Sequence, residues 1–356
     1  MSCIKPLIPA WLMAAVGCLA FAAGAGRATA AEQPAGSCKL QLAAELEVRV
    51  LPAGAVVVPA KVAGQDVWLF LGSNGAFPQV FESAANQLGL EHKAITERTQ
   101  LGSRTRRVET GLSGANGPLD QKVSLPSFLL GKVSLGAWQA VLLPGADRPL
   151  MQIDGHPVIG IMGTQIFRLV DTELDLANQR IRLFKATECP EAPVYWGAEY
   201  TETRMLFDRV GAMHFVMELD GRKIDTGLLS GISAPSIDEG IAKRYFGFDS
   251  QSPGVIREVG NGREQSSYYA MSLTAAGLNV SNARVRISES RTTRCGSTMA
   301  GDAGPSIQYS KCENTVPFTL GTGVLQKLRI YIAAKQDKIY FTRNTLTATP
   351  APSPAP

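Results

Sequence analysis

The sequence of 356 residues predicts an all-β protein with short helices, built as two homologous lobes with a cleft between them. Three observations carry this reading. Landmarks recur at a steady distance: Gly64 returns as Gly221, 157 residues on, and residues 75–81 return as 231–237 at an offset of 156. Near the end of each copy, Ile181-Arg182-Leu183 returns as Ile339-Tyr340-Phe341 at 158, and Gly163 as Gly321. So long a period fits two copies of a domain-sized unit and not a solenoid. Third, the apolar residues of each copy come in short, partly alternating runs between glycine turns, the pattern of strands and hairpins.

Residues 1–30 read as a secretory signal. Lys5 precedes a nearly continuous apolar stretch over 7–23, and Ala28-Thr29-Ala30 forms a small-x-small cleavage pattern. Pro9, Gly24 and Gly26 argue against a spanning helix, and Ala15 ahead of Val16-Gly17-Cys18 disfavours a lipid anchor at Cys18. The expected destination is the periplasm or the exterior. The first lobe is expected over 40–185 and the second over 206–343. Between them, 186–205 reads as a connection marked by Pro190 and Pro193, and 344–356 as a disordered Pro- and Ala-rich tail. No other apolar run is long enough to span a bilayer.

Within the first lobe, strands are expected at 55–62 and 67–71 around the Ala63-Gly64 turn, then a glycine turn and a helix over 82–88. Strands over 127–130 and 138–143 follow, then a turn at Gly160-Ile161-Met162-Gly163, a helix over 165–169 and a hairpin of 170–176 with 180–184. The second lobe repeats the order: a strand at 213–219, the Asp220-Gly221 turn, a helix at 239–245, strands at 268–273 and 283–287, a turn at Leu320-Gly321, a helix at 324–328 and a hairpin of 329–333 with 338–342.

That order resembles the retropepsin-like and pepsin-like aspartic proteases in their single-chain, bilobal form. The likeness covers about residues 50–342 and rests on the hairpin, the glycine turn, the helix ending in Leu88-Gly89, and the later Val158-Ile159-Gly160 and Thr319-Leu320-Gly321. In that family each lobe presents Asp-Thr-Gly or Asp-Ser-Gly at the first glycine turn. The two carboxylates share a proton, one activating water while the other acts as acid. Here the first triplet falls on Ser73-Asn74-Gly75, and the offset of 156 puts Leu229-Ser230-Gly231 on the second. Asp225-Thr226-Gly227 spells the signature, but the repeat places Asp225 opposite Trp68 or Leu69, inside a strand. A serine without a base does not activate water. The resemblance therefore implies an exported, catalytically inactive relative that binds an extended peptide or protein in the cleft, at Ser73, Asn74, Gly75, Leu229, Ser230 and Gly231, under a covering hairpin within 96–117. Two other readings stand beside it: an active endopeptidase using Asp225 as its catalytic residue, and an envelope scaffold.

The rest of the sequence points to no other chemistry. The 35 basic residues exceed the 31 acidic ones by four, and by two once Lys5 and Arg27 are removed. Arg104, Arg106 and Arg107 lack interleaved aromatics and read as a solvated loop, so no nucleic-acid partner is expected. Cys38, Cys189, Cys295 and Cys312 follow the signal; in an exported chain they favour disulfides, Cys295 with Cys312 and Cys38 with Cys189. Without Cys-x-x-Cys or paired histidines, neither a metal nor a cofactor is expected. His92, His156 and His214 read as isolated surface or loop residues, and Asp154, Asp171 and Asp175 as solvated groups near the closing turn. A monomer is expected.

Overall fold

Val56–Val62 and Gln65–Leu71 pair antiparallel, with Val62 opposite Gln65. The turn between them, Ala63-Gly64, has φ of 50° and 80°. Two positive φ values make the turn whose twist matches that of the flanking strands. Met213–Leu219 and Arg222–Gly227 repeat the device around Asp220-Gly221, at 45° and 76°. The computed structural model describes residues 40–344 apart from 73–77, 99–104, 108–112, 115–116, 146–148, 187–193, 197–198, 208–212, 229–230, 261–262, 276–277, 289–292, 302–303 and 313–315. The described residues belong to one compact unit.

The fold is mostly β, as expected, and its two halves repeat one crossing of three strands. In the first, His156–Met162 runs parallel to Gln65–Leu71 and antiparallel to Gln79–Phe81. In the second, Phe318–Thr319 runs parallel to Arg222–Gly227 and antiparallel to Ser236–Asp238. Each crossing is filled by side chains with almost no exposure: Val58, Leu69, Val80 and Ile159 in one half, Phe215, Ile237 and Phe318 in the other. The residues at the centre of each crossing are apolar because both faces are covered there.

The halves are joined by a shared sheet. Its strands lie in the order Leu42–Glu47, Arg180–Lys185, Val170–Asp175, Leu328–Ala333, Lys338–Arg343, Thr201–Phe207, and Thr172 opposite Ile332 marks the crossing from one lobe to the other. Three expected boundaries shift. Thr201–Phe207 is a strand of the second lobe, paired with Lys338–Arg343, although 186–205 reads as a connection. The last helix is Thr322–Leu325, because Leu328 already belongs to the closing strand. Asn344, assigned to the tail, donates its N–H to the Lys327 carbonyl at 2.9 Å and its side-chain amide to Asp175 at 2.8 Å. Residues 1–30 and 345–356 lie outside the described residues.

Strand pairing also lengthens what local pattern underestimates. The strands expected at 127–130 and 268–273 extend over Gln121–Leu130 and Arg263–Ala275, since long hairpins add ladder pairs without needing apolar residues at each position. Within the segment expected to cover the cleft, Thr96–Arg98 and Thr105–Arg107 form an antiparallel ladder. Cys38 and Cys189 are outside the described residues, while Cys295 and Cys312 lie on paired strands opposite Ser310 and Thr293.

Candidate functional site

The loop that would carry the chemistry follows the second strand of each hairpin. Of the residues expected there, Ser73, Asn74, Gly75, Leu229 and Ser230 lie outside the described residues. Gly231 is described: it is exposed, with φ of 73°. The strands on both sides of the two loops nevertheless set their correspondence. Phe70 lies opposite Ile161 and Gly227 opposite Thr319, so the strands entering the loops differ by 227 − 70 = 157. Gln79 pairs with Ile161 and Ser236 with Thr319, so the strands leaving them differ by 236 − 79 = 157. The loops are equal in length, and by count Ser230, not Leu229, corresponds to Ser73. The same ruler matches Gly160 to Phe318 and Gly163 to Gly321, three residues from the pairing of Gly160 with Gly321 that the motif suggests.

Asp225 occupies the position of Trp68. It lies opposite Val216 as Trp68 lies opposite Pro59, in mid-strand. Trp68 is buried and donates its indole N–H to the Ile153 carbonyl at 3.0 Å. Asp225 keeps 47 % of its side-chain surface exposed, and its Oδ1 stands 3.6 Å from Nδ1 of His214. His214 is thus neither on a loop nor isolated; it sits diagonally across the hairpin, on the same face as Asp225. Its Nδ1 is buried with no hydrogen-bond partner among the described residues. His92 lies on the strand His92–Ala94, half-buried, and His156 is exposed.

Asp171 and Asp175 depart from the expectation of solvated groups. With Glu173 they alternate along Val170–Asp175, a strand buried at each position, and so share one face of the inter-lobe sheet. Asp171 accepts from the Ala334 N–H at 2.8 Å and from the Tyr331 hydroxyl at 3.3 Å. Glu173, fully buried, accepts from Arg182 at 2.7 Å, from Arg329 at 2.8 Å and from the Tyr195 hydroxyl. Burial pushes the phenols of Tyr331 and Tyr195 up, reinforced by the carboxylates that accept from them. These carboxylates are committed to holding the lobes together. Asp154 is exposed, as expected.

A cavity of about 570 Å³ opens beside the second loop. Its wall includes Ala53 from the first lobe and Ser233, Pro235, Arg284, Arg286 and Lys327 from the second. No carboxylate lines it among the described residues. The turn at 51–55 reaches in because the Ser233 N–H donates to the Ala53 carbonyl at 3.2 Å and because Gly54, at φ 95°, has no side chain: a Cβ there would lie 2.1 Å from the Ser233 nitrogen. Sequence reading passed over this basic wall. The local signal was present in Ala283-Arg284-Val285-Arg286-Ile287, where alternation buries Ala283, Val285 and Ile287 and turns both arginines to the other face. Lys327 joins them only in three dimensions.

Among the described residues, no group of three or more His, Cys, Asp or Glu is arranged to hold a metal ion, and no helix is long and apolar enough to cross a membrane. No protein-family model matches the chain, and no curated protein is similar to it in sequence. Among solved structures, it is similar to the basic 7S globulin from soybean at 11 % identity, covering 86 % of this chain and 96 % of that one, with a TM-score of 0.43. Conglutin gamma, a basic 7S globulin from lupine seeds, is similar at 12 %, covering 86 % and 96 %, with a TM-score of 0.44. An aspartic proteinase from Irpex lacteus is similar at 11 %, covering 86 % and 98 %, with a TM-score of 0.42. Likenesses this distant say nothing of what the chain binds or cleaves.

Proposed function

We propose that the chain is an exported two-lobed protein that holds an extended peptide segment between its lobes without cleaving it. The observation that carries this reading is the composition of the two matched loops. Residues 72–78 read Gly-Ser-Asn-Gly-Ala-Phe-Pro and residues 229–235 read Leu-Ser-Gly-Ile-Ser-Ala-Pro, with no carboxylate in either. The acid-pair mechanism needs two such groups in one place, since neighbouring carboxylates share a proton only at close range. Asp225, the acid of the Asp-Thr-Gly triplet, stands in mid-strand at the Trp68 position. Peptide capture is supported by the strand Ile256–Gly260, which ends its sheet and exposes 55 % of Ile256 and 68 % of Val259. An edge of this kind adds a strand through main-chain hydrogen bonds.

A peptide-cleavage assay from acid to mildly alkaline pH, run on the wild type and on Asp225→Asn, separates this reading from the endopeptidase. The expected outcome is no metal-independent cleavage by either protein. Robust cleavage that Asp225→Asn abolishes would replace the binding reading with the enzyme.

A further inference from the structure

We infer that the basic cavity between Ala53 and the second lobe anchors an acidic side chain of the bound peptide, so that the cleft selects segments containing Asp or Glu. This deepens the peptide-binding reading and rests on it. Among the described residues, three cationic side chains face the cavity and no anionic one does. Arg284 is already committed: it pairs with Glu258, and its guanidinium lies 4.0 Å from the centre of the Tyr268 ring. Arg286 and Lys327 have no anionic partner among the described residues. Two positive charges in one recess, with no described anion beside them, attract an anion and repel a cation.

Arg286 adds a more specific demand. Its Nε is buried and makes no hydrogen bond among the described residues. A guanidinium cannot shed its proton, and no described residue satisfies this N–H, which leaves it open to an arriving acceptor. A carboxylate fits, because its two oxygens accept from the guanidinium fork in parallel. The backbone of Arg286 cannot swing away to find another partner, since its N–H donates to the Pro235 carbonyl at 2.8 Å and Arg286 lies opposite Ser236 in the sheet. The volume, about 570 Å³, is in the range of sites that enclose small ligands and exceeds one acidic side chain, leaving room for part of its backbone. The Ala53 wall places the recess where the first lobe meets the second, beside the loop that follows Gly231.

The test uses the full mature chain and an array of random ten-residue peptides in which one position is fixed as Glu, Gln or Lys. The expected result is capture of the Glu series about tenfold more strongly than the Gln series, with the Lys series weakest, as loss of one charge-assisted hydrogen bond predicts. Arg286→Gln and Lys327→Gln should each reduce the ratio of Glu-series to Gln-series capture. Lys327 is exposed and outside the core, so its variant reads out even where Arg286→Gln fails to fold. Equal capture of the Glu and Gln series, or a Glu preference that survives Lys327→Gln, overturns the acidic anchor and leaves peptide binding intact. Capture of none of the three series defeats the peptide-binding reading, and the anchor with it.

Discussion

Glu173 lies on a first-lobe strand and takes hydrogen bonds from Arg182 in its own lobe and Arg329 in the other. Removing one member of a buried pair leaves the other charges without solvent or partner, which costs more than the intact pair contributes. Glu173→Ala should lower unfolding stability by about 3–5 kcal/mol in urea titration. Glu202 pairs with Lys338 at 2.6 Å, but both side chains are more than 40 % exposed. Glu202→Ala should cost less than about 1 kcal/mol, and equal losses in the two variants would show that Glu173 is not buried as described. Asp225 belongs with the exposed group. Its register, and not its sequence context, decides what its carboxylate can reach.

Among the elements, the crossing of three strands in the first lobe depends on close backbone approach. A Cβ on Gly160 would lie 2.0 Å from the Gln79 carbonyl oxygen and 2.9 Å from Val80 Cα, atoms of the strand that leads out of the loop. Backbone cannot step aside as a flexible side chain can, so Gly160→Ala must push Gln79–Phe81 away and break its short ladder. The expected loss is about 1–3 kcal/mol, checked by denaturant midpoint. A variant as stable as the wild type would mean that the two strands lie further apart than described. The equivalent position in the second lobe is Phe318, buried, which shows that the two crossings are alike in pairing and differ in how they are filled.

For the whole molecule, the shared sheet makes stability depend on tyrosine protonation. Tyr331, Tyr340, Phe184 and Val194 pack as one cluster at the joint between the lobes. Burial pushes the Tyr340 phenol up to about 12 and raises that of Tyr331 further. In the unfolded chain a phenol titrates near 10. Above that pH the unfolded state loses protons that the folded state keeps, so the stabilisation is complete below about pH 10 and declines as pH rises through 12. Each such group contributes a slope of about 1.4 kcal/mol per pH unit within its window. The urea midpoint should fall between about pH 10 and 12, and fall less steeply in Tyr340→Phe. A Tyr340→Phe slope identical to the wild type would contradict the raised value at this position.

The sequence alone determined the all-β class, the twofold repetition and the hairpins around Ala63-Gly64 and Asp220-Gly221. These are local: alternation and turn residues act over a few positions, and the chain states them twice. It also exposed the absence of an acid from both matched loops, which needs no coordinates. Tertiary structure decided what rests on pairings between distant residues. Ladders on either side of the loops set the offset at 157, so that Ser230 matches Ser73 by count, a one-residue difference that landmark matching cannot resolve because loops absorb it. The burial of Asp171, Glu173 and Asp175 was hidden because their partners arrive from a strand about 160 residues later. The cavity was hidden for the same reason. Arg286, Lys327 and Ala53 become neighbours only when the sheet of one lobe is folded against the turn of the other, and a charge acquires its meaning from what surrounds it in space.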